Sequence, residues 1–319
     1  MKKLLLVLMF SIFALNIYAQ GKVTESIVNN GDQYLNITNF KNAFKSNVGS
    51  MTGNTVYVVV NDCYNDGKEC GGHGYQMADI INIIKVSDDV KVFVRSNSDQ
   101  SIKCTKESKI SREKCQLDSK VESLLRKNNI RVWNESNGWP IQSNIKLNMD
   151  RASETEQFKK LVKKYDVMYV VSAGNNENEF STRNVKTLSN NPFDNLLTVA
   201  QFGINRENGK PIMENGEFFR APDFSVFGEY EVAEGEKMSG WAGTSPAAAV
   251  TSAIIAQYYS IMPCWSTMDM KRFIYATLKP AKDIELKDIW TKTKEYLSYS
   301  EKIFDKNFLI KNNLKLCKQ

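Results

Sequence analysis

The sequence predicts an α/β fold built on a mainly parallel central sheet with helices on both faces. Two observations predict it. Short, continuous apolar runs rich in β-branched residues alternate with helix-like segments, and such runs mark strands buried on both faces of a parallel sheet. One later segment, from Ala247 to Tyr258, is apolar all round and so reads as a helix with no face toward water.

The elements follow in order. Thr55 to Val60 is an apolar run bounded by Gly53-Asn54 and Asn61-Asp62, and it reads as the first core strand. Met77 to Ile84 reads as a helix and Val90 to Val94 as a second strand. Val121 to Lys127 is helical in pattern, and Ile130 to Trp133 is a third strand. Thr155 to Lys164 is a charged amphipathic helix, followed by strands at Val167 to Val171 and Leu196 to Gln201. The polar stretch from Lys287 onward reads as a helical extension, so the expected division is a leader (1–19), one domain (20–286) and an extension (287–319).

The leader sets the expected compartment. Lys2 and Lys3 precede an apolar run from Leu4 to Leu15, and Ala19 offers a small residue for cleavage. That layout predicts a secretory signal peptide and an exported protein, secreted or periplasmic. No cysteine follows the run, which argues against a lipid anchor, and no other segment is long and apolar enough to span a bilayer. The formal charge of +6 is spread along the chain, without the basic stripe that nucleic acid binding needs. The six cysteines, Cys63, Cys70, Cys104, Cys115, Cys264 and Cys317, predict disulfides in an oxidising compartment. Proximity favours Cys63–Cys70 and Cys104–Cys115, leaving Cys264–Cys317, although spacing alone does not fix the pairing.

Four short pieces carry chemistry. The chain has a single histidine, His73, within Gly71-Gly72-His73-Gly74-Tyr75. A histidine serves as general base because its ordinary pKa lies near neutrality, though a histidine at a helix entry also occurs without a role. Ser245 lies in Gly243-Thr244-Ser245-Pro246, directly before the buried helix, where it is either a nucleophile facing a cleft or an N-cap. Asn175 ends Ser172-Ala173-Gly174-Asn175, where it is either an oxyanion donor or a turn residue. Asp62 ends the first strand, where a carboxylate could orient the imidazole or simply close the strand. The order bears on the fold. The only histidine precedes Ser245, which excludes an α/β-hydrolase triad; a chymotrypsin-like order stays formally open, but the strand–helix alternation argues against two β-barrels, and Asp, His, Ser is the order of subtilisin.

These pieces resemble those of the subtilisin-like (subtilase) serine peptidases, through most of the chain. Val59-Val60-Asn61-Asp62 resembles the strand ending in the family's aspartate, and Gly72-His73-Gly74-Tyr75-Gln76-Met77-Ala78 resembles its histidine block. Asn134-Glu135-Ser136-Asn137-Gly138 resembles the segment that pairs with extended substrate. Ser172-Ala173-Gly174-Asn175 resembles the Ala-Ala-Gly-Asn block, Phe224-Ser225-Val226-Phe227-Gly228 the Phe-Ser-Ser-x-Gly block, and Gly243-Thr244-Ser245 the nucleophile block. Trp265 and the helix after it match the family's penultimate helix.

The resemblance implies a three-layer fold and a serine endopeptidase. Ser245 is then the nucleophile, His73 the base, Asp62 its orienting carboxylate and Asn175 the oxyanion donor. Ser136, Asn137, Gly138, Ser172, Ala173 and Gly174 would line a polypeptide substrate, and the protein would act as a monomer. The chain also departs from the pattern. The loop between Asp62 and His73 is short and holds Cys63 and Cys70, and Asn61 could align in place of Asp62. Tyr75-Gln76 replaces Thr-His, and Pro246-Ala247-Ala248-Ala249 replaces Met-Ala-x-Pro. The family's calcium ligands do not stand out, so no cofactor or metal is expected, and a structural calcium stays open without support from the sequence. The stretch between Ala19 and Thr55 is too short for a separate inhibitory pro-domain. These departures keep a non-catalytic binding protein open. A metal site of Cys63, Cys70 and His73 fits no strong zinc spacing.

Overall fold

A computed structural model describes residues 22–23, 26–47, 53–62, 73–96, 102–106, 113–117, 119–127, 129–136, 158–175, 195–204, 211–213, 222–234, 237–280, 285–286 and 295–317. The leader, Cys63, Cys70, Asn137 and Gly138 lie outside them. In chain order the elements are β1 (Lys22–Val23), α1 (Ser26–Leu35), α2 (Ile37–Asn47), β2 (Val56–Asp62), α3 (His73–Ile84), β3 (Val90–Ser96), β4 (Ile102–Lys106), β5 (Glu113–Leu117), α4 (Ser119–Lys127) and β6 (Ile130–Glu135). They continue with α5, described over 158–164, then β7 (Met168–Ser172), β8 (Leu196–Ile204), β9 (Pro211–Met213), β10 (Phe224–Phe227), β11 (Glu229–Glu234) and β12 (Lys237–Ala242). The last are α6 (Thr244–Ile261), α7 (Thr267–Thr277), β13 (Lys279–Pro280), β14 (Glu285–Leu286), β15 (Glu295–Tyr296), a 3₁₀ turn (Glu301–Phe304) and α8 (Lys306–Lys311).

The central sheet runs β13-β15-β10-β8-β7-β6-β2-β3, and its neighbours from β15 to β3 are all parallel. Parallel strands need covered faces, and the alternation of side chains supplies two cores. Val58, Val60, Val132, Val170 and Val199 point to one face, where α3 and α6 lie over them. Val59, Trp133, Tyr169 and Val171 point to the other, against Val121 and Leu125 of α4 and Phe158 and Val162 of α5. The expected α/β architecture with helices on both faces is therefore present.

Several strands run further than their apolar runs. The first ends at Asp62, the strand after α4 at Glu135, and β7 at Ser172. The ladders continue through these polar residues because their side chains find partners at the carboxyl edge of the sheet. The last core helix also begins earlier than its apolar run, at Thr244, so Ser245 is its second residue. Its N-cap is Gly243, which makes no side-chain cap. Ser245 is thus not the cap.

The two ends of the chain pack together on the α6 face. Leu35, Ile37, Phe40 and Phe44 of α1 and α2 are buried there, and the Phe40 ring stacks on Tyr299 at 4.4 Å between centroids. Tyr299 N–H donates to Leu35 O at 2.7 Å, and Tyr258 OH accepts from Ser300 N–H at 2.7 Å. In the polar segment after Lys287, residues 295–317 add β15 to the sheet and bury Leu297, Tyr299, Ile303 and Leu309. The periodicity of that stretch is too irregular for sequence to reveal its apolar side. Helix α7 starts with a capping box, in which Ser266 Oγ accepts from Asp269 N–H while the Asp269 carboxylate accepts from Ser266 N–H. Cys264 and Cys317 form a disulfide, and Trp265 Nε1–H donates to Lys315 O at 2.8 Å beside it. In the β4–β5 hairpin, Cys104 stands opposite Cys115 in register. Among the described residues, no helix is long and apolar enough to cross a membrane.

The Cys264–Cys317 bond spans 53 residues of chain, so it removes substantial freedom from the unfolded state. Replacing both cysteines with serine is expected to lower unfolding free energy by about 2–4 kcal/mol. Urea titration of the double variant beside the parent protein checks this through the shift in midpoint.

Candidate active site

The site is assembled at the carboxyl ends of β2, β6 and β7, where α3 and α6 begin. The register of β2 against β6 pairs Val60 with Asn134, which brings Asp62 level with Ser136 two residues on. Three strand ends and two helix starts thus converge on one edge, where open parallel sheets commonly hold their ligands.

His73 is the first residue of α3, and its Nδ1 lies 2.7 Å from Asp62 Oδ2. Asp62 is fully buried, so its carboxylate depends on this partner in place of water. A carboxylate oxygen accepts, so Nδ1–H is the donor in this contact and Nε2 is left on the far side of the ring. Strand alternation sends the two neighbouring residues to different faces. Asn61 points to the opposite face, where its Nδ2 donates to Glu135 Oε2 at 3.4 Å. The Tyr169 hydroxyl donates to the same carboxylate oxygen at 3.0 Å.

Ser245 is almost fully buried, and its hydroxyl donates to the Ser136 carbonyl at 2.7 Å. A carbonyl oxygen has no proton to give, so in this geometry the Ser245 proton is directed at Ser136 and not at His73. The same carbonyl accepts from Ser172 Oγ at 3.2 Å, which joins the ends of β6 and β7.

Asn175 is anchored through one end of its amide. Its Oδ1 accepts from Thr244 N–H and from Thr244 Oγ1–H, each at 2.9 Å. Because a backbone N–H can only donate, that contact identifies the oxygen and leaves Nδ2 as the outward donor. Thr244 Oγ1 in turn accepts from Gly174 N–H at 3.0 Å. Thr244 was not singled out from sequence as a site residue, yet its side chain ties the Asn175 turn to the start of α6. Its place between Gly243 and Ser245 is the signal that could have found it.

Two glycines allow the chain segments to meet. Gly243 has φ +155°, a conformation open mainly to glycine, and a Cβ there would lie 3.1 Å from Asn175 Nδ2. Gly228 sits where a Cβ would come within 2.9 Å of the Gly243 carbonyl. Gly174, with φ 106°, turns the chain from β7 toward Asn175. Ala173 is buried at that turn. No group of three or more His, Cys, Asp or Glu side chains placed to hold a metal occurs among the described residues.

The profile of the subtilase family matches residues 23–298. The chain belongs to the subtilase family. A search of curated protein sequences finds no match. Among solved structures, this subtilase is similar to one described as the structural basis of subtilase cytotoxin SubAB assembly, with TM-score 0.56 and 14% identity over 89% of this chain and 97% of that one. It is similar to the A-subunit of the AB5 toxin from E. coli, with TM-score 0.56 and 14% identity over 83% of this chain and 96% of that one. It is also similar to a lanthipeptide protease, with TM-score 0.51 and 16% identity over 86% of this chain and 96% of that one. At these identities the likeness is one of fold.

Asp79, on the helix that His73 begins, is held up to about 6 from its ordinary 3.8 by burial. A carboxyl with a raised pKa in the folded state opposes folding in full above that value and not at all below the unfolded one. Its opposition fades as pH falls through about 6 toward the unfolded value. Asp79→Asn is therefore expected to raise the thermal midpoint at about pH 8 and to leave it unchanged near pH 4. Thermal melts of both proteins across that window test it, and a constant gain at every pH would contradict it.

Proposed function

We propose that this subtilase is an exported serine endopeptidase in which Asp62, His73 and Ser245 form the triad and Asn175 donates to the oxyanion. The observation that carries the proposal is the 2.7 Å His73–Asp62 pair, one strand away from the Ser136 carbonyl that holds Ser245. The chain's only histidine is the partner of a fully buried carboxylate at the sheet's active edge.

In the mechanism, an extended polypeptide lies along Ser136, Asn137 and Gly138 and adds a strand to the edge. The backbone at Ser172, Ala173 and Gly174 forms the facing wall. A rotation about χ1 takes the Ser245 hydroxyl off the Ser136 carbonyl and toward Nε2 of His73. Oγ then attacks the scissile carbonyl carbon while the proton passes to Nε2. Asn175 Nδ2 and the Ser245 N–H, one of the unsatisfied donors in the first turn of α6, meet the oxygen that becomes negative. His73 returns the proton to the leaving amine, and water releases the acyl group by the same steps in reverse. The chemistry calls for no cofactor, and a single chain supplies every group.

A second reading is a subtilase-fold protein that binds peptides without cleaving them. It draws on the Ser245 hydroxyl being committed to Ser136 in the structure.

Labelling of the purified protein with a fluorophosphonate separates the two. The proposal expects covalent labelling that both Ser245→Ala and His73→Ala abolish. A folded parent protein that takes no label supports the binding reading. Asn175→Ala should lower peptide turnover by about 100- to 1000-fold, a magnitude that comes from loss of the equivalent donor in subtilisin itself. Steady-state kinetics on a chromogenic peptide measures it, and unchanged turnover would remove Asn175 from the oxyanion site.

A further inference from the structure

A buried polar chain behind the nucleophile runs through Asn134 and Ser252, which have no part in the steps above. Asn134 lies on β6 and Ser252 on α6, and both are fully buried. Asn134 Nδ2–H donates to Ser252 Oγ at 3.1 Å, and Ser252 Oγ donates its own proton to Ala248 O at 2.8 Å. At the other end of the amide, Asn134 Oδ1 accepts from Ser136 Oγ at 3.0 Å. The Ser136 hydroxyl lies equally close to the backbone carbonyl of Ser245, at 3.1 Å.

The directions in this chain follow from the Ser252 hydroxyl donating to Ala248 O. Ser252 has one hydroxyl proton and it goes to Ala248 O, so toward Asn134 it can only accept. That assigns Nδ2 to Ser252 and Oδ1 to Ser136. Oδ1 and the Ser245 carbonyl both only accept, so the single Ser136 proton is shared between them. With Ser252 donating to Ala248 O, reversing the Asn134 amide alone would set Oδ1 against the lone pairs of Ser252 Oγ, and an unmade buried hydrogen bond is costly.

Apart from the bonds of Thr244 and Ser245 in its first turn, the contacts of α6 with the sheet are largely apolar and non-directional, and such contacts let a helix slide or turn slightly at little cost. The Asn134 chain grips α6 at Ser245 and Ser252, about two turns apart, and ties both to the end of β6. It therefore sets the height and rotation of the helix start relative to the Ser136 carbonyl, where substrate backbone would bind. We infer that Asn134 is a positioning residue for the nucleophile, acting through Ser136 and Ser252 without touching substrate. The inference rests on the proposed peptidase reading.

Reaction geometry is sensitive to small displacements, so loosening this chain should slow chemistry while leaving ground-state binding intact. The experiment measures kcat and KM on a peptide ester, and the second-order rate of fluorophosphonate labelling, for the parent, Asn134→Ala, Ser252→Ala and the double variant. All rates are normalised to folded, titratable active sites. The expected result is a fall of about 10- to 100-fold in kcat and in labelling rate for Asn134→Ala, with KM changed by less than about 2-fold. Ser252→Ala, the gentler change, should show a smaller fall of the same kind. The double variant should lose little beyond Asn134→Ala, since both break one chain. Unchanged kcat per site in both single variants would overturn the inference, as would a rise in KM with kcat intact or fully additive losses. A parent protein that neither labels nor turns over would sink the peptidase reading and this inference together, whereas an active parent with indifferent variants would sink this inference alone.

Discussion

A helix with no side toward water has to be enclosed all the way round, and α6 is such a helix: every residue from Thr244 to Ile261 is buried. The sheet covers one side, with β2, β6, β7, β8 and β10 all in contact, and α3 and α7 flank it. The aromatic cluster of Phe40, Tyr258, Phe273 and Tyr299 encloses the end away from the site. Because the helix is caged, its first turn is held at the carboxyl edge of the strands. Ser245 inherits that position, and so do the N–H groups of the first turn.

Enclosure also constrains the polar groups carried inward with the helix. Such groups need partners inside the protein, and at three positions of the helix those partners come from β6 or the end of β7. Ser245 turns to the Ser136 carbonyl, Ser252 to Asn134, and Thr244 to Asn175. The resulting bonds are directional where the apolar packing is not. The same first turn that must satisfy its polar atoms therefore becomes the part of the core with the most sharply defined geometry.

The two-residue period of a strand does the remaining sorting. Asn61 and Asp62 are neighbours in sequence, yet one belongs to the Glu135 and Tyr169 cluster and the other to His73 on the opposite face. Trp133, Asn134 and Glu135 divide in the same way, with Asn134 alone of the three facing α6. A shift of one residue in the β2–β6 register would exchange these roles throughout.

Much of this was legible from the chain alone. Continuous apolar runs gave the core strands, since a strand buried on both faces has no polar positions to spare, and the all-apolar run from Ala247 gave the buried helix. The order of Asp62, His73 and Ser245 with the blocks around them pointed to the family, because those blocks are local in sequence. Other features are set by contacts between segments far apart. That Asp62 and not Asn61 meets His73 depends on which face of β2 meets α3. The directions of Asn175 and Asn134 depend on proton partners many residues away, and a sequence carries no record of proton direction. The burial of α1, α2 and residues 295–317 depends on each supplying the other's apolar surface, so neither end shows its role until the chain has folded.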